Sequence, residues 1–189
     1  MRMHPLDVMD ALDGMIILID TREQDTALFR SRLRAFPRHE REKLDFGDYS
    51  AKFPLPEKEG GGFFTLSGRV SVERKMSIDE LCQCFTHDRD RFEREFERAK
   101  AAGGRVYLLI EGANFEAIYT GKYRSKMRET ALIASLLAFL ARYDCRLIFC
   151  KPETTGRLIK DILYREGKER LEHIGDSEDG GEQTKTETD

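Results

Sequence analysis

The stretch Val70-Ser-Val-Glu-Arg-Lys-Met-Ser-Ile-Asp79 constrains the fold more than any other part of the chain. It opens as an alternating strand, runs into three consecutive charges, and passes at once into a helix start. Strand side chains alternate with a period of two, so Glu73 and Lys75 fall on one face and Arg74 on the other. Ser77-Ile-Asp-Glu80 has the Ser-x-x-Glu form of a capping box, so a helix begins there and runs to about Phe85. A carboxylate and an ammonium side by side at a strand end can hold a metal ion and the water it activates. The expectation is a metal-dependent phosphodiesterase centre.

The rest of the chain supplies a sheet for that strand to join. Met15 to Asp20 is a short apolar run ending in an acid, a buried strand. Asp25 can cap a helix through about Phe36, which Pro37 ends. Leu44 to Phe53 reads as a strand entered through a glycine turn at Gly47, and residues 54–62 as a flexible hairpin connection. Asp88 to Lys100 is a charged helix with a stripe of Phe92, Phe96 and Ala99. Arg105 to Glu111 is an almost unbroken apolar strand, as at a sheet centre covered on both faces. Asn114 caps a short helix, and 125–143 is a helix apolar nearly all round, either deep core or partly an oligomer interface. Cys145 to Cys150 is a last strand, and Thr154 or Thr155 caps a final helix through about Gly167. Strands separated by helices, with one early hairpin, give an α/β fold around a mixed sheet. The domain spans 15–174, between an N-terminal extension at 1–14 and a tail at 175–189.

That tail carries six acids against one lysine, a charge of −5, which leaves +2 on the other residues out of a total of −3. Rich in Gly, Ser, Thr and Glu, it is expected to be disordered. A weakly basic body is compatible with a local DNA-binding patch. Cys82, Cys84, Cys145 and Cys150 lack zinc spacing and read as buried free thiols, and the four histidines form no ligand pair. With no apolar run of membrane length and no signal core at the N-terminus, the expected location is cytoplasmic, or nuclear in a eukaryote.

Asp20, Glu23, Asp48 and Glu73 stand at strand ends or just after them. Phosphodiester hydrolysis needs hard oxygen ligands for Mg²⁺ or Mn²⁺, a positioned water, and positive charge against the phosphate. Asp48 and Glu73 are candidate direct ligands, with Glu23 a third carboxylate and Asp20 a ligand or an orienting group acting through water. Lys75 would hold or help deprotonate the water, and Arg74 would contact phosphate or fix a carboxylate through its rigid fork. Asp79 also fits an ordinary place in the first turn of a helix, where an acid is favoured.

Together, Ile19-Asp20-Thr-Arg22-Glu23, Gly47-Asp48 and Glu73-Arg74-Lys75-x-x-x-Asp79 resemble the nuclease domain of the XPF-type structure-specific endonucleases. Asp90-Arg91-Phe92 and Leu109-Ile-Glu111-Gly112 extend the resemblance, which spans residues 15–167. It implies a restriction-endonuclease-like core, with helices on both faces of a central mixed sheet. It implies divalent-metal dependence and cleavage of branched or flapped DNA in repair or recombination. By motif position Glu23, Asp48 and Glu73 would bind metal, while Asp20, Arg74, Lys75 and Asp79 complete the active site. Members also dimerise through this domain, so a homodimer is expected.

Members of that family usually carry a helix-hairpin-helix module after the nuclease domain, whereas an acidic tail follows the last helix here. DNA contacts are then expected from the nuclease body. Lys122, Tyr123, Arg124 and Lys126 interleave cations with an aromatic, the composition used for phosphate contact and base stacking. Arg91, with Arg89 and Arg94, would form a second patch. The alternatives are a junction resolvase or restriction-type nuclease of the same superfamily, or a non-catalytic DNA-binding scaffold.

Overall fold

The computed structural model describes residues 3–174. The acidic tail, and the disorder expected for it, lie outside the described residues. Five strands make a continuous path: β1 (Ile16–Asp20), β3 (Tyr49–Pro54), β5 (Val70–Lys75), β6 (Arg105–Glu111) and β7 (Arg146–Cys150). β2 (His39–Glu42) pairs outside β1, and β4 (Phe63–Thr65) pairs with the far end of β3. β3 is antiparallel to both β1 and β5, whereas β5, β6 and β7 run parallel, so the sheet is mixed.

Alternation along the strands sends apolar side chains into two cores, one on each face. Ile17, Ile19, Tyr49, Phe53, Val70 and Val72 pack beneath α1 (Pro5–Asp13), α2 (Ala27–Leu33) and α7 (Pro152–Glu172). Leu108 and Ile110 face the other way, toward α3 (Ile78–Cys84), α4 (Arg89–Ala101), α5 (Phe115–Tyr119) and α6 (Glu129–Tyr143). The unbroken run in β6 follows from this, since Leu108, Leu109 and Ile110 are all fully buried although they point to opposite faces. The second core holds an aromatic cluster in which Phe92 and Phe139 stack at 4.7 Å and Phe96 meets Phe139 edge-on at 4.6 Å.

Several boundaries differ from the sequence reading. Within the segment expected as an extension, Met3 and the α1 residues Val8, Ala11 and Leu12 are buried in the first core. β2 was not foreseen: its His-Glu-Arg-Glu sequence is exposed throughout, and it is held by backbone pairing to β1 rather than by an apolar face. α2 begins after Thr26, whose hydroxyl accepts the Phe29 N–H at 3.1 Å, while Asp25 pairs with Arg30 instead. In α6 a single stripe of Leu132, Leu136, Phe139 and Tyr143 is buried, and Leu137 on the outer side is 48% exposed. Cys82, Cys84 and Cys145 are free and buried, and Cys150 is half-buried.

α7 does not stop at Gly167 but continues to Glu172. Gly167 is there for a close approach, since a Cβ at that position would stand 2.1 Å from the Phe53 ring. Gly156 plays the same part against the Arg32 carbonyl, at 2.7 Å. The missing side chains let a long helix lie against β3 and α2. Substituting Gly167→Ala gains helix propensity of about 1 kcal/mol, but overpacking costs about 1–3 kcal/mol. The expected outcome is a lower thermal midpoint, by roughly 2–4 °C per kcal/mol of net loss, in a circular-dichroism melt.

Candidate active site

The site is built around Asp48, which holds three strands together. Its N–H donates to the Val72 carbonyl of β5 at 2.9 Å, and its own carbonyl accepts from Asp20 of β1 at 2.9 Å. Asp48 Oδ2 accepts the Arg74 N–H at 2.8 Å. Gly47 makes the preceding turn with φ +75°, and a Cβ on it would stand 2.3 Å from Ser71 Oγ, so this position requires glycine. Tyr49 packs into the α1–α2–α7 core, so its neighbour Asp48 turns to the opposite face. Glu73 and Lys75 meet it there from the adjacent strand, as the spacing of β5 requires. The Lys75 ammonium donates to Glu73 Oε1 and lies 5.1 Å from the centroid of the Phe92 ring. Glu73 Oε2 is buried without a hydrogen-bond partner. The three side chains share a cleft of about 540 Å³ whose rim carries Arg22, Glu80, Arg91 and Glu95.

Burial pushes the Asp48 carboxyl well above the usual aspartate range, and the neighbouring Glu73 carboxylate pushes it further, against the pull of Lys75. Burial likewise raises Glu73, opposed by Lys75. For the Lys75 ammonium burial works downward, yet the Glu73 and Asp48 carboxylates outweigh it, and the net shift is upward. Lys75 is therefore a cation at neutral pH. The site combines two buried carboxyl groups, one ammonium and an unpartnered Glu73 oxygen, a donor set that suits a hard divalent cation. Among the described residues no three His, Cys, Asp or Glu side chains converge as a ready-made metal cage.

Glu23 lines the same cleft but is claimed by two guanidinium groups. Its Oε2 stands 3.2 Å from Arg32 Nη2 and its Oε1 stands 3.9 Å from Arg74 Nη2. Arg74, on the other side of β5 from Lys75, reaches Glu111 at 3.4 Å as well, and Arg32 donates to the Tyr49 hydroxyl at 3.1 Å. Arg74 thus stands between the Glu111 and Glu23 carboxylates while also lining the cleft. Asp20 is almost wholly buried and accepts from the Arg22 side chain at 2.6 Å, the Arg22 N–H at 2.8 Å and the Leu44 N–H at 2.9 Å. Burial pushes its carboxyl up, but these bonds outweigh that and hold it below the usual range. Its two oxygens tie the loop after β1 to the loop before β3.

Asp79 sits in the first turn of α3, outside the residues that line the cleft, and binds Arg124 and Ser125. Lys122, Arg124 and Lys126 are exposed, with the Arg124 side chain 92% so. Tyr123 instead faces inward, half-buried against the second core, and gives its hydroxyl to the Met127 carbonyl at 2.9 Å. Arg91 stands at the cleft rim with its head in solvent.

Sequence reasoning passed over Glu95, which accepts the Gly47 N–H at 3.0 Å and stands 3.5 Å from Arg22. The signal was present in the helical spacing, since Phe92 and Phe96 face the core and Glu95 lies beside them. Glu111 stood out only as part of the family resemblance, and Arg32 had no signal. Nothing in an apolar strand end or an arginine-rich helix reveals that the two meet on either side of Arg74 and Glu23.

A mixed sheet with Asp48, Glu73 and Lys75 at adjacent strand ends, between two helical layers, defines a nuclease-type α/β domain. Residues 19–162 match the model of the ERCC4 domain, and the chain belongs to that family. The structure is similar to XPF from Aeropyrum pernix, at 20% identity and a TM-score of 0.55 over 82% of this chain and 68% of that one. It is also similar to XPF from Aeropyrum pernix in complex with DNA, at 23% identity and a TM-score of 0.56 over 82% of this chain and 66% of that one. These confirm the XPF-type nuclease fold with helices on both faces. No curated protein matches the sequence.

The raised Asp48 carboxyl fixes a sign. Native Asp48 keeps a proton that the unfolded chain has already released, so stability falls as pH rises from the ordinary aspartate range through the raised value. Asp48→Asn removes the buried charge and keeps an oxygen for the Arg74 N–H. In metal-free buffer at neutral pH it is expected to raise the thermal midpoint by roughly 2–4 °C, about 1 kcal/mol, and to flatten the dependence on pH.

Proposed function

We propose that the protein is a divalent-metal-dependent DNA endonuclease that hydrolyses phosphodiester bonds in branched or flapped DNA, in repair or recombination. The observation that carries this reading is the convergence of Asp48, Glu73 and Lys75 on the floor of one cleft, with a buried Glu73 oxygen unpartnered. Membership of the ERCC4 domain family and the likeness to a nuclease fold solved with DNA support it.

Asp48 and Glu73 would hold Mg²⁺ or Mn²⁺, and Glu23, fixed beside them by Arg32 and Arg74, would join through water. Mg²⁺ is commonly held by one or two carboxylates, with waters and substrate phosphate completing its shell, so this donor set fits. When bound, the ion supplies Lewis-acid charge to the phosphate and acidifies a water. Lys75, held as an ammonium by its carboxylate neighbours, orients the water and sets positive charge against the developing phosphate charge. Arg22 and Arg91 at the rim would neutralise flanking phosphates. Asp20 acts on the chemistry indirectly, through its grip on Arg22 and on the loop that delivers Asp48.

Nicking of a 5′-labelled flap with Mg²⁺ or Mn²⁺ tests this reading. Wild type is expected to cut, with Asp48→Asn and Lys75→Ala slower by about 10²-fold or more and no cutting after chelation. Equal activity in all three proteins would falsify the assignment. A preference for four-way junctions or plain duplex over flaps and forks would favour the resolvase or restriction-type alternatives instead.

A homodimer is the second part of the proposal. Exposed Leu137, Ala134, Ala138 and Ala141 give α6 an apolar outer side, and neighbouring β7 is a sheet edge with Leu147, Ile148 and Phe149 only half-buried. Pairing two copies through this side would remove both the apolar surface and the open edge from water. Light scattering should give a dimer at micromolar concentration for the wild type and a monomer for Leu137→Lys. A wild-type monomer there would sink the dimer.

A further inference from the structure

Asp79 ends the Glu-Arg-Lys-x-x-x-Asp run, yet its carboxylate serves a different segment from the one its neighbours face. Glu80 lines the cleft and Asp79 does not, as successive helical positions turn by roughly 100°. Asp79 Oδ1 accepts the backbone N–H groups of Arg124 at 2.8 Å and Ser125 at 2.7 Å, and Oδ2 takes the Arg124 Nε at 3.2 Å. The segment it grips joins α5 to α6, and side-chain exposure alternates along it. Lys122, Arg124, Lys126 and Arg128 are exposed, while Tyr123, Ser125 and Met127 are half-buried. Two internal bonds stiffen the same turn: the Tyr123 hydroxyl donates to the Met127 carbonyl, and the Met127 N–H to Ser125 Oγ at 3.2 Å.

Residues 120–128 hold four cations and no acid. Left alone, the four cations of this loop repel one another. A carboxylate from outside, making charge-assisted bonds to two backbone N–H groups and one guanidinium, offsets that repulsion and fixes the backbone. The carboxylate sits four residues beyond Lys75, so the loop is anchored to the same strand–helix corner that carries the candidate centre.

We propose that Asp79 is a positioning residue for a DNA-backbone-binding loop, fixing Arg124 and Ser125 so that Lys122, Arg124, Lys126 and Arg128 stand together against the phosphates beside the cleft. The inference rests on the nuclease reading for its substrate, but it assigns Asp79 to binding and not to the chemical step. All three of its bonds go to the loop, and none goes to the groups at the floor of the cleft.

The test measures binding and cleavage separately. Binding of a labelled flap duplex is followed by fluorescence anisotropy without divalent metal, across a salt series. Asp79→Ala is expected to bind about tenfold more weakly, with the slope of log affinity against log salt reduced by roughly 1–2. Asp79→Asn keeps an oxygen for the backbone N–H groups and should fall between Asp79→Ala and the wild type. Single-turnover cleavage by Asp79→Ala at saturating protein with Mg²⁺ should stay within about threefold of the wild type, placing the loss in binding rather than in rate. Unchanged affinity and salt slope with a collapsed saturated rate would overturn the inference and leave the nuclease reading intact. A wild type that cuts no DNA, while Asp79→Ala still loses affinity, would support the inference and sink the nuclease reading. If Asp79→Ala does not fold, Lys122→Glu with Lys126→Glu takes its place. Both side chains are exposed, and unaltered DNA affinity in that double variant would equally overturn the proposal.

Discussion

The arrangement depends on how the backbone of Asp48 is bonded. A single residue donates to β5, accepts from β1 and receives the Arg74 N–H on its side chain, so three strands share one junction. Because Gly47 makes the turn into it at positive φ, pressed against Ser71, the junction leaves no room for a different residue or register. Asp48 ends the loop before β3, and its backbone bonds to β1 and β5 tie its carboxylate to the sheet. Sites on regular elements hold their geometry more tightly than sites on loops, and metal-assisted phosphate chemistry tolerates little error in position.

The same strand end divides two kinds of work between its faces. On one side Glu73 and Lys75 join Asp48 and retain an unpartnered oxygen, a local imbalance that burial makes costly. On the other, Arg74 belongs to an alternating chain of Glu111, Arg74, Glu23, Arg32 and Tyr49, in which each charge meets an opposite one or a hydroxyl. Arg74 Nε and one Glu111 oxygen in that chain are themselves buried without a hydrogen-bond partner, and removing a member leaves its neighbour's charge stranded. These ion pairs set the position of Glu23 beside the end of β5.

Much of this was legible in the sequence because period-two alternation is a strong constraint. Glu73 with Lys75, Arg74 opposed to them, and the Ser77 cap all follow from spacing, and the core strands follow from apolar runs. What was not legible has physical reasons. β2 is held by backbone pairing, which leaves no side-chain pattern in His-Glu-Arg-Glu. Gly167 read as a helix end because glycine usually is one, whereas here it makes room for Phe53 within a helix. The inward turn of Tyr123 could not be read from composition, since an aromatic among cations looks the same whether its ring faces solvent or core. Charges such as Glu95 and Glu111 take their meaning from partners distant in sequence, which one chain without its fold does not reveal.

Rigidity at the centre has a consequence for selection. A sheet that fixes Asp48 and Glu73 this firmly presents the same two carboxylates to any phosphodiester that reaches them, so it cannot by itself tell one DNA shape from another. Discrimination must reside in groups that touch DNA away from the cut, on surfaces free to differ while the sheet stays the same. Arg22 and Arg91 stand on the rim of the cleft, and the exposed cations of the loop held by Asp79 stand outside its lining. Rim cations follow the phosphates adjacent to the reacting bond and are indifferent to the path of the strand beyond it. Only a set of charges fixed at a distance, and kept at a constant offset from the centre, can register whether the backbone continues as a straight duplex or turns away. On the proposed reading, the motif's last acid would matter for where the DNA lies, and Glu73 with Lys75 for what happens to the bond.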